Sequence, residues 1–291
     1  MNVSTWELGV DDDRYPELLR QMPDPPKTVY GCGDINALQP CLAVIGARKA
    51  TPYGITCARR FAGWASANGI TIVSGGAIGC DMAAHEAALE SGGTTIAVLG
   101  CGADVDYPQR ASGLLRTLRG PHAVISELPW GSPPQRWAFA RRNRIIAGLS
   151  LAVLVVEAGL PSGTFGTADH ALEAGRDVLA VPGSIFAPEC RGANRLIRQG
   201  GTPITCESEL RDALVSAGLS LQGSLADPQA PGLPLADRLL VALRASPMRP
   251  DDLACGLQTD VVSIARRLTR LELDGEIVRL RDGRYSVSRP T

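Results

Sequence analysis

The sequence predicts a doubly wound α/β domain built on a parallel sheet, followed by a small winged-helix domain. Short β-branched runs alternate with helical patterns from residue 41 onward, a proline-rich stretch follows near residue 221, and three helical segments with a hairpin signal come last. Continuous apolar runs that are separated by helices are typical of parallel strands covered on both faces.

The strands of the first domain are predicted from the runs L-A-V-I-G-A, I-T-I-V-S, T-T-I-A-V-L-G, A-V-I-S-E, L-A-V-L-V-V-E and D-V-L-A-V-P-G. Helices between them end at glycines such as Gly69 and Gly175, which suit the left-handed position after a helix. Residues 1–40 show no such pattern and contain D-D-D-R-Y-P and D-P-P. We therefore expect an N-terminal lead-in over residues 1–40 and the α/β domain over residues 41–220.

Residues 221–234 contain three prolines and two glycines without periodicity, which predicts a linker. Residues 235–291 then carry two short helical patterns and a third that begins behind Thr259 or Asp260. The strand-like segments E-I-V-R-L and R-Y-S-V flank R-D-G, a hairpin turn signal. Three helices followed by a hairpin is the order of a winged-helix domain.

Composition excludes several classes of protein. The eight cysteines include no C-x-x-C pair, so we expect reduced core cysteines of a cytoplasmic protein rather than a metal site or a disulfide framework. No secretory signal and no apolar run of membrane-spanning length is present, so no membrane partner is expected. The formal net charge is -1, which means that any site for a polyanion must be local.

Two cofactor-binding motifs are missing. The first strand is followed by G-A-R-K-A-T-P-Y-G, where Arg48 stands in place of a close-approach glycine of G-x-G-x-x-G. The chain also lacks the G-K-[ST] of a P-loop. The sequence therefore predicts no cofactor.

Glycine-rich turns follow two later strands, S-G-G-A-I-G-C-D at residues 74–81 and L-P-S-G-T-F-G-T at residues 160–167. Each opens a helix, where free N–H groups and the helix dipole favour an anion. Glycines also serve tight strand-to-helix turns whatever they bind. With both turns and their hydroxyls considered together, the two interpretations are evenly balanced. The candidate phosphate contacts are Ser74, Gly75, Gly76, Ser162, Gly163 and Thr164.

The segment F-A-R-R-N-R contains Arg141, Arg142, Asn143 and Arg144, with no acid within ten residues on either side. We expect these residues at the start of a helix, where cations oppose the dipole, so an external anion explains them better than local stability. Together with Arg48 and Lys49 they predict a basic groove at the carboxyl edge of the sheet. Phe139 offers a face for a base, although an anchoring role in the core is almost as good an interpretation.

Support for catalysis is weak. Asp81 and His85 are one helical turn apart, which suits an acid–base pair, but a buried hydrogen-bonded or capping pair is the better interpretation. His122 and His170 have no partner at a useful spacing. No metal triad and no nucleophile with a base emerges.

Residues 15–219 resemble the DNA-processing protein A family (DprA, also called Smf). The motifs that carry the resemblance occur in the order of that family, namely G-A-R-K-A-T-P-Y-G, S-G-G-A-I-G-C-D, F-A-R-R-N-R, V-V-E-A, S-G-T and V-P-G. The resemblance implies an extended Rossmann-like domain that forms homodimers, binds and protects single-stranded DNA in natural transformation, and helps load RecA. It also implies a protein that is not an enzyme. Arg48 resembles the family's principal phosphate-binding arginine, and residues 139–144 resemble its strand-contacting wall.

Departures from the family pattern are small. The usual S-G-L-A-x-G-I-D reads S-G-G-A-I-G-C-D here. The N-terminal helical domain that some members carry is longer than the forty residues ahead of the first predicted strand, so we expect most of it to be absent. In the winged-helix domain, Arg266, Arg267 and Arg270 lie opposite a stripe of Val261, Ala265, Leu268 and Leu271. This surface predicts contact with duplex DNA or with protein, and the two alternatives are equally supported.

One alternative function comes from a different class. The same Rossmann variant resembles enzymes that cleave nucleoside monophosphates, whose phosphate turn reads P-G-G-x-G-T followed by a catalytic acid. The corresponding turn here is P-S-G-T-F-G-T-A-D-H, without a glutamate directly after the threonine. Binding of single-stranded DNA is therefore the favoured hypothesis.

Overall fold

The computed structural model of the chain describes residues 3–219, 235–245, 247–257, 259–280 and 282–288. The chain divides into two compact units, Met1–Pro228 and Gln229–Thr291. The linker predicted at residues 221–234 lies outside the described residues. Among the helices that are described, none is long and apolar enough to cross a membrane.

The first unit contains a nine-stranded sheet. Its strands are β1 (Thr5–Gly9), β2 (Thr28–Gly33), β3 (Cys41–Gly46), β4 (Thr71–Ser74), β5 (Thr95–Val98), β6 (Ala123–Ser126), β7 (Ser150–Glu157), β8 (Asp177–Ala180) and β9 (Thr202–Pro203). Their order is β1-β2-β6-β5-β4-β3-β7-β8-β9, and all neighbouring pairs from β6 to β9 are parallel. The predicted doubly wound α/β fold is confirmed. The direction of winding reverses between β3 and β7, and such a reversal opens a crevice at the carboxyl ends of the strands.

Helices cover both faces of this sheet. They are α1 (Glu17–Arg20), α2 (Pro52–Ala67), α3 (Cys80–Glu90), α4 (Ser112–Leu118), α5 (Arg136–Leu149), α6 (Thr164–Glu173), α7 (Arg191–Arg198) and α8 (Glu207–Ser216). Successive strand residues point to opposite faces, so Leu42 packs with Phe61 of α2 on one side while Ala43 packs with Ile145 of α5 on the other. The strands are therefore apolar without interruption, as the predicted parallel sheet requires.

The N-terminal lead-in predicted over residues 1–40 is wrong. Strand β1 pairs with β2, and β2 pairs with β6 in antiparallel register, with Tyr30 opposite Ser126, so both strands extend the sheet. Leu19 and Met22 pack on Gly148 of α5, where a Cβ would lie 2.7 Å from Cδ1 of Leu19 and overlap the sulfur of Met22. The polar turns between β1 and β2 concealed this contribution to the core.

The second unit has the predicted winged-helix order. It contains α9 (Leu235–Ala245), α10 (Pro250–Gly256), α11 (Val261–Leu273), β10 (Ile277–Arg279) and β11 (Tyr285–Val287). The two strands form an antiparallel hairpin. The N-cap of α11 is Asp260, whose carboxylate accepts the N–H of Ser263 at 2.8 Å. The unit's own core contains Leu239, Leu253 and Ile264.

Replacement of Leu19 by Ala tests whether the N-terminal residues belong to the core. Leu19 is fully buried, so the substitution removes apolar contacts and leaves a cavity against α5. We expect Leu19→Ala to lower the free energy of unfolding by about 2–5 kcal/mol, measured by urea denaturation. Leu172→Ala on α6 is the matched control, because Leu172 is mostly exposed and its loss should change stability by less than about 0.5 kcal/mol. Equal stability of the two variants would contradict this packing.

Candidate nucleic-acid interface

Helix α5 brings the predicted site residues together. Phe139 packs on Gly100 after β5, where a Cβ would lie 2.8 Å from the ring carbon Cδ1. Asn143 donates from Nδ2 to the carbonyl of Gly163 after β7 at 3.4 Å. Arg144 donates from Nη2 to Glu127 after β6 at 2.5 Å. The first half of α5 therefore lies along the carboxyl edge of the sheet, as the motifs predicted.

The first glycine-rich turn does not offer the predicted phosphate cradle. Oδ2 of the buried Asp81 accepts the N–H groups of Gly75 at 3.2 Å and Ala77 at 3.4 Å. The hydroxyl of Ser74 donates to the carbonyl of Val44 at 2.6 Å, inside the sheet. Ser74, Gly75 and Gly76 are all buried. The anion in this turn is a carboxylate of the chain itself, and the prediction of these three residues as phosphate contacts is corrected accordingly.

The glycines of this turn serve its geometry. Gly76 has a φ of 64° and Gly79 a φ of 100°, both in the left-handed region that glycine tolerates best. A Cβ on Gly75 would overlap the guanidinium of Arg142. The turn is thus shaped to admit one internal carboxylate and one internal arginine.

A second internal carboxylate closes the N-terminus of α2. Glu157 ends β7 and is only 1% exposed. It accepts the backbone N–H of Thr51 at 2.9 Å and the Thr51 hydroxyl at 2.5 Å, and that hydroxyl also accepts the N–H of Gly54. Glu157 was not among the predicted site residues. The sequence did carry a signal for it, because an acid at the end of the otherwise apolar strand L-A-V-L-V-V-E needs a buried polar partner.

The second glycine-rich turn remains nearer the surface. The hydroxyl of Ser162 accepts the N–H of Thr164 at 3.2 Å and donates to the Thr164 hydroxyl at 2.8 Å. Thr164 is buried, Ser162 is half-buried and Gly163 is exposed. Ser162 and Gly163 therefore stay accessible beside Asn143.

The arginines of α5 are not the free cationic wall that the sequence predicted. Helix α5 begins at Arg136, so the cluster lies beyond its first turn. Arg144 is only 4% exposed and forms ion pairs with Glu127 and, at 3.3 Å, with Asp24. Arg141 is half-exposed and contacts Glu127 at 3.2 Å. These acids are distant from α5 in sequence but adjacent to it in space. The prediction that Arg144 is free to contact a strand is therefore corrected.

Arg142 is also buried, with 5% of its surface exposed. The prediction that it contacts a bound strand directly is therefore corrected as well. Its Nε and Nη1 have no hydrogen-bond partner among the residues that the structure describes. Burial lowers the pKa of Arg142 to about 10, while Asp81 raises it and Arg48 lowers it further. The guanidinium stays protonated at neutral pH, so a fixed positive charge lies beneath the carboxyl edge.

The accessible part of the site is a rim formed by Arg48, Lys49 and Phe139. Arg48 and Lys49 are exposed in the loop after β3. The guanidinium carbon of Arg48 lies 5.8 Å from the centroid of the half-buried Phe139 ring. The centroid of the Tyr107 ring lies 5.4 Å from the same Phe139 centroid. This arrangement places a cation and aromatic surface together at the crevice, as predicted for Arg48 and Phe139. Tyr107, which contacts Phe139, was not among the predicted site residues.

Asp81 and His85 do not form an acid–base pair. Thr95 donates its hydroxyl to the carbonyl of Ile72, so it accepts the Nδ1 proton of His85 at 2.7 Å. Burial lowers the pKa of His85 to about 3, and the ring is neutral at physiological pH. Across the described ranges, no group of three or more His, Cys, Asp or Glu residues could hold a metal ion.

In the winged-helix unit, Arg266, Arg267 and Arg270 are all exposed on α11. Arg270 lies 3.6 Å from Asp274. The buried stripe of this helix is formed by Ile264, Leu268 and Leu271, whereas Val261 is exposed. Within this unit, the three arginines are therefore exposed on the face that was predicted to contact duplex DNA or protein.

Comparison with known proteins points to one family. A family model described as DNA recombination-mediator protein A matches residues 7–215, and a model described as the DprA winged helix domain matches residues 224–283. The protein Smf of Escherichia coli is 42% identical over 209 residues, which cover 71% of this chain and 56% of that protein. The chain thus spans little more than half the length of this relative.

Two solved structures are similar to the chain. The X-ray structure of DNA processing protein A from Streptococcus pneumoniae has a TM-score of 0.69 and 38% identity, and the match covers 72% of this chain and 74% of that one. A structure of DNA processing protein A from Helicobacter pylori, which describes its single-stranded DNA binding mode, has a TM-score of 0.66 and 30% identity. That match covers 74% of this chain and 96% of the other.

Stability measurements distinguish the buried arginines from the rim. Arg144→Ala leaves the mostly buried Glu127 with only Arg141, so we expect the free energy of unfolding to fall by about 3 kcal/mol or more. Arg48→Ala removes an exposed side chain and should change it by less than about 0.5 kcal/mol. Urea denaturation of both variants checks the difference. If Arg144→Ala is as stable as Arg48→Ala, the cluster is not structural.

Proposed function

The chain belongs to the family of DNA recombination-mediator protein A, and from this premise we propose that its first unit binds single-stranded DNA at the rim of Arg48, Lys49 and Phe139. The observation that carries the proposal is the exposed Arg48 guanidinium lying over an aromatic ring at the crevice of the sheet. A guanidinium can donate two parallel hydrogen bonds to phosphate oxygens, and an aromatic face can stack on any base.

Electrostatics supports the same rim. The charge of Arg142 lies beneath it and is not consumed by an ion pair within 4 Å in the described part of the chain. Low-dielectric surroundings strengthen the field of such a charge at a nearby surface. Asn143, Ser162 and Gly163 border the rim and supply polar groups, and Arg141 adds an exposed cation on another side of α5. We propose these residues as further strand contacts, with Arg142 acting from below.

The proposed binding is independent of sequence. Contacts to phosphate oxygens position a strand but carry no sequence information, and stacking tolerates every base. The rim consists of cations and aromatic rings, which suits this mode. The Helicobacter pylori relative, whose structure describes single-stranded DNA binding, supports the proposal by similarity at 30% identity.

We propose binding rather than catalysis at this site. Asp81 and Glu157, two buried acids at the carboxyl edge of the sheet, are engaged as hydrogen-bond acceptors of the turn and of Thr51. A general acid or base must instead reach a reacting group of the substrate. Incubation with nucleoside monophosphates tests the alternative, because release of free base at enzymatic rates would establish a phosphoribohydrolase activity and contradict the proposal.

The partners are proposed at the level of the family. The family description as a recombination mediator supports a role in protecting incoming DNA and loading RecA, in natural transformation or recombination. We further propose that the Rossmann-like unit forms a homodimer and acts in the cytoplasm. Light scattering that shows a monomer at all concentrations would contradict the dimer, and RecA filaments that assemble no faster on coated single strands would contradict the loading role.

The division of labour between the units is proposed in the same way. The rim residues all precede residue 220, so we propose that residues 41–220 with the two N-terminal strands carry the single-strand site, separated by residues 221–234 from the winged-helix domain at 235–291. Arg266, Arg267 and Arg270 then serve duplex DNA or a protein partner. Retained single-strand affinity of residues 1–220 would support this division, and its loss in a folded truncation would contradict it.

A salt titration tests the site. The affinity of the parent chain for single-stranded DNA should fall linearly in log–log plots against salt, with about 0.7 of slope for each phosphate contacted. Arg48→Ala should weaken binding to every sequence and flatten the slope by about 0.7, because one phosphate contact is lost. Fluorescence anisotropy at several salt concentrations measures both quantities.

The matched control is Arg59→Ala, which removes the same charge. Arg59 lies on α2 and pairs with Glu86 and Glu90 of α3. Its loss should leave the salt slope unchanged. A folded Arg48→Ala variant that binds like the parent, or a parent affinity that does not depend on salt, would place the site elsewhere.

A further inference from the structure

Two of the three aromatic side chains that are exposed in the described part of the chain lie on α5 or in contact with it. Aromatic residues make up 4% of the chain, and three aromatic side chains are exposed among the described residues, namely Tyr107, Trp137 and Phe186. Tyr107 contacts Phe139, and Trp137 precedes it by two residues on α5. Trp137 is 53% exposed, and tryptophan is usually among the most buried side chains on average. Its exposure leaves a large apolar surface open to a ligand.

The indole of Trp137 is held by its polar edge. Nε1 donates to Oε1 of Gln135 at 2.5 Å, which satisfies the one hydrogen-bond donor of the ring. The ring therefore needs no further polar partner and is available for contact through its surface. A base stacks on such a surface without regard to its identity.

Helix geometry places Trp137 on a different side of α5 from Phe139. Residues two apart in a helix diverge, whereas residues four apart share a face, so Trp137 lies on the side of Arg141. Arg141 contacts Glu127 after β6, and Phe139 lies with Arg48 after β3. Helix α5 therefore carries an aromatic–arginine pair on each of two sides.

Charge on the Trp137 side favours a polyanion. Arg136 is exposed, the first turn of α5 contains no acid, and no ion pair of Arg136 is found in the described part of the chain. Beyond Arg141 lies a cleft of about 300 Å³ that Lys27 and Tyr30 also line. Asp24 and Glu127 line it too and balance Arg141 and Arg144, so the surplus positive charge comes from Arg136 and Lys27.

We propose that Trp137 stacks on a base of the same single strand whose backbone Arg48 binds, so that the strand crosses the N-terminal end of α5. This inference rests on the proposed function, because it extends the same strand from the crevice side of α5 to the Trp137 side. Continuity with the rim and the charge of Arg136 favour nucleic acid over a protein segment as the occupant.

Intrinsic fluorescence tests the stacking directly in the full chain. The chain has four tryptophans, and Trp137 alone among them is exposed; Trp6, Trp64 and Trp130 are partly buried. Oligothymidine should quench the emission of the parent on binding. Trp137→Phe should lose most of this quenching while it keeps the affinity, because phenylalanine also stacks. Trp64→Phe, the matched control on α2, should keep the quenching.

Affinity gives the second readout. Trp137→Ala should weaken oligothymidine binding by about 5- to 150-fold with an unchanged salt slope, because stacking releases no counterions. On an abasic strand of equal length, the parent and Trp137→Ala should bind equally. Parent-like quenching by Trp137→Phe, or parent-like affinity of Trp137→Ala for oligothymidine, would overturn the inference.

The outcomes separate this inference from the proposed function. A parent that does not bind single strands at all contradicts the proposed function. A parent that binds while Trp137→Ala binds equally well contradicts the stacking alone. A change in the oligomeric state of Trp137→Ala, seen by light scattering with equal losses on thymidine and abasic strands, would identify the surface as a protein interface and overturn the stacking.

Discussion

Two carboxylates of the chain occupy amide-lined positions at which parallel α/β sheets commonly bind phosphate. Asp81 accepts the N–H groups of the turn after β4, and Glu157 accepts the N–H and hydroxyl of Thr51 at the start of α2. Both are buried, so neither is readily displaced by solvent ions. A buried carboxylate is tolerable only when such hydrogen bonds compensate its lost hydration. Two backbone anion sites of the crevice are thereby satisfied from within.

This constraint moves anion binding from the backbone to side chains. Arg48 lies at the surface of the crevice, while Arg142 is buried beneath it and two of its donors have no hydrogen-bond partner among the described residues. A buried charge without a close partner is costly, and the nearby Asp81 offsets part of that cost. The result is a positive rim on a molecule whose net charge is -1. A strand can enter such a rim from outside, because it need not thread its phosphates into a closed turn.

Helix α5 depends on the same constraint. At the crevice, the guanidinium of Arg142 packs against Gly75 and the side-chain amide of Asn143 donates to the carbonyl of Gly163. At the outer side, Arg144 donates to the carboxylate of Glu127. The internal pairs hold the helix along the carboxyl edge, which in turn presents Phe139 beside Arg48. The buried pair of Arg144 and Glu127 specifies the position of the helix, because a shift would leave a buried charge without its partner.

The sequence predicted what depends on local pattern and failed where partners are distant in the chain. The apolar runs predicted the sheet because both faces are covered, and the meeting of carboxyl ends placed Arg48 near Phe139. The pairing of Arg144 with Glu127 could not be read from spacing, since the two are joined only through the strand order. Ser74 appeared free because its acceptor, the Val44 carbonyl, lies on the neighbouring strand. Strand β2 escaped notice because prolines and polar turns precede it in the chain, and its pairing with β6 joins segments about ninety residues apart.

A crystal structure of the chain with a short thymidine oligonucleotide would show whether side chains or backbone amides bind the phosphates of the strand. We expect a backbone phosphate within hydrogen-bond distance of the Arg48 guanidinium, with Asp81 still accepting the N–H groups of Gly75 and Ala77 and Glu157 still bound to Thr51. A phosphate seated on the amides of Gly75 and Ala77, with the Asp81 side chain turned away from them, would contradict this expectation.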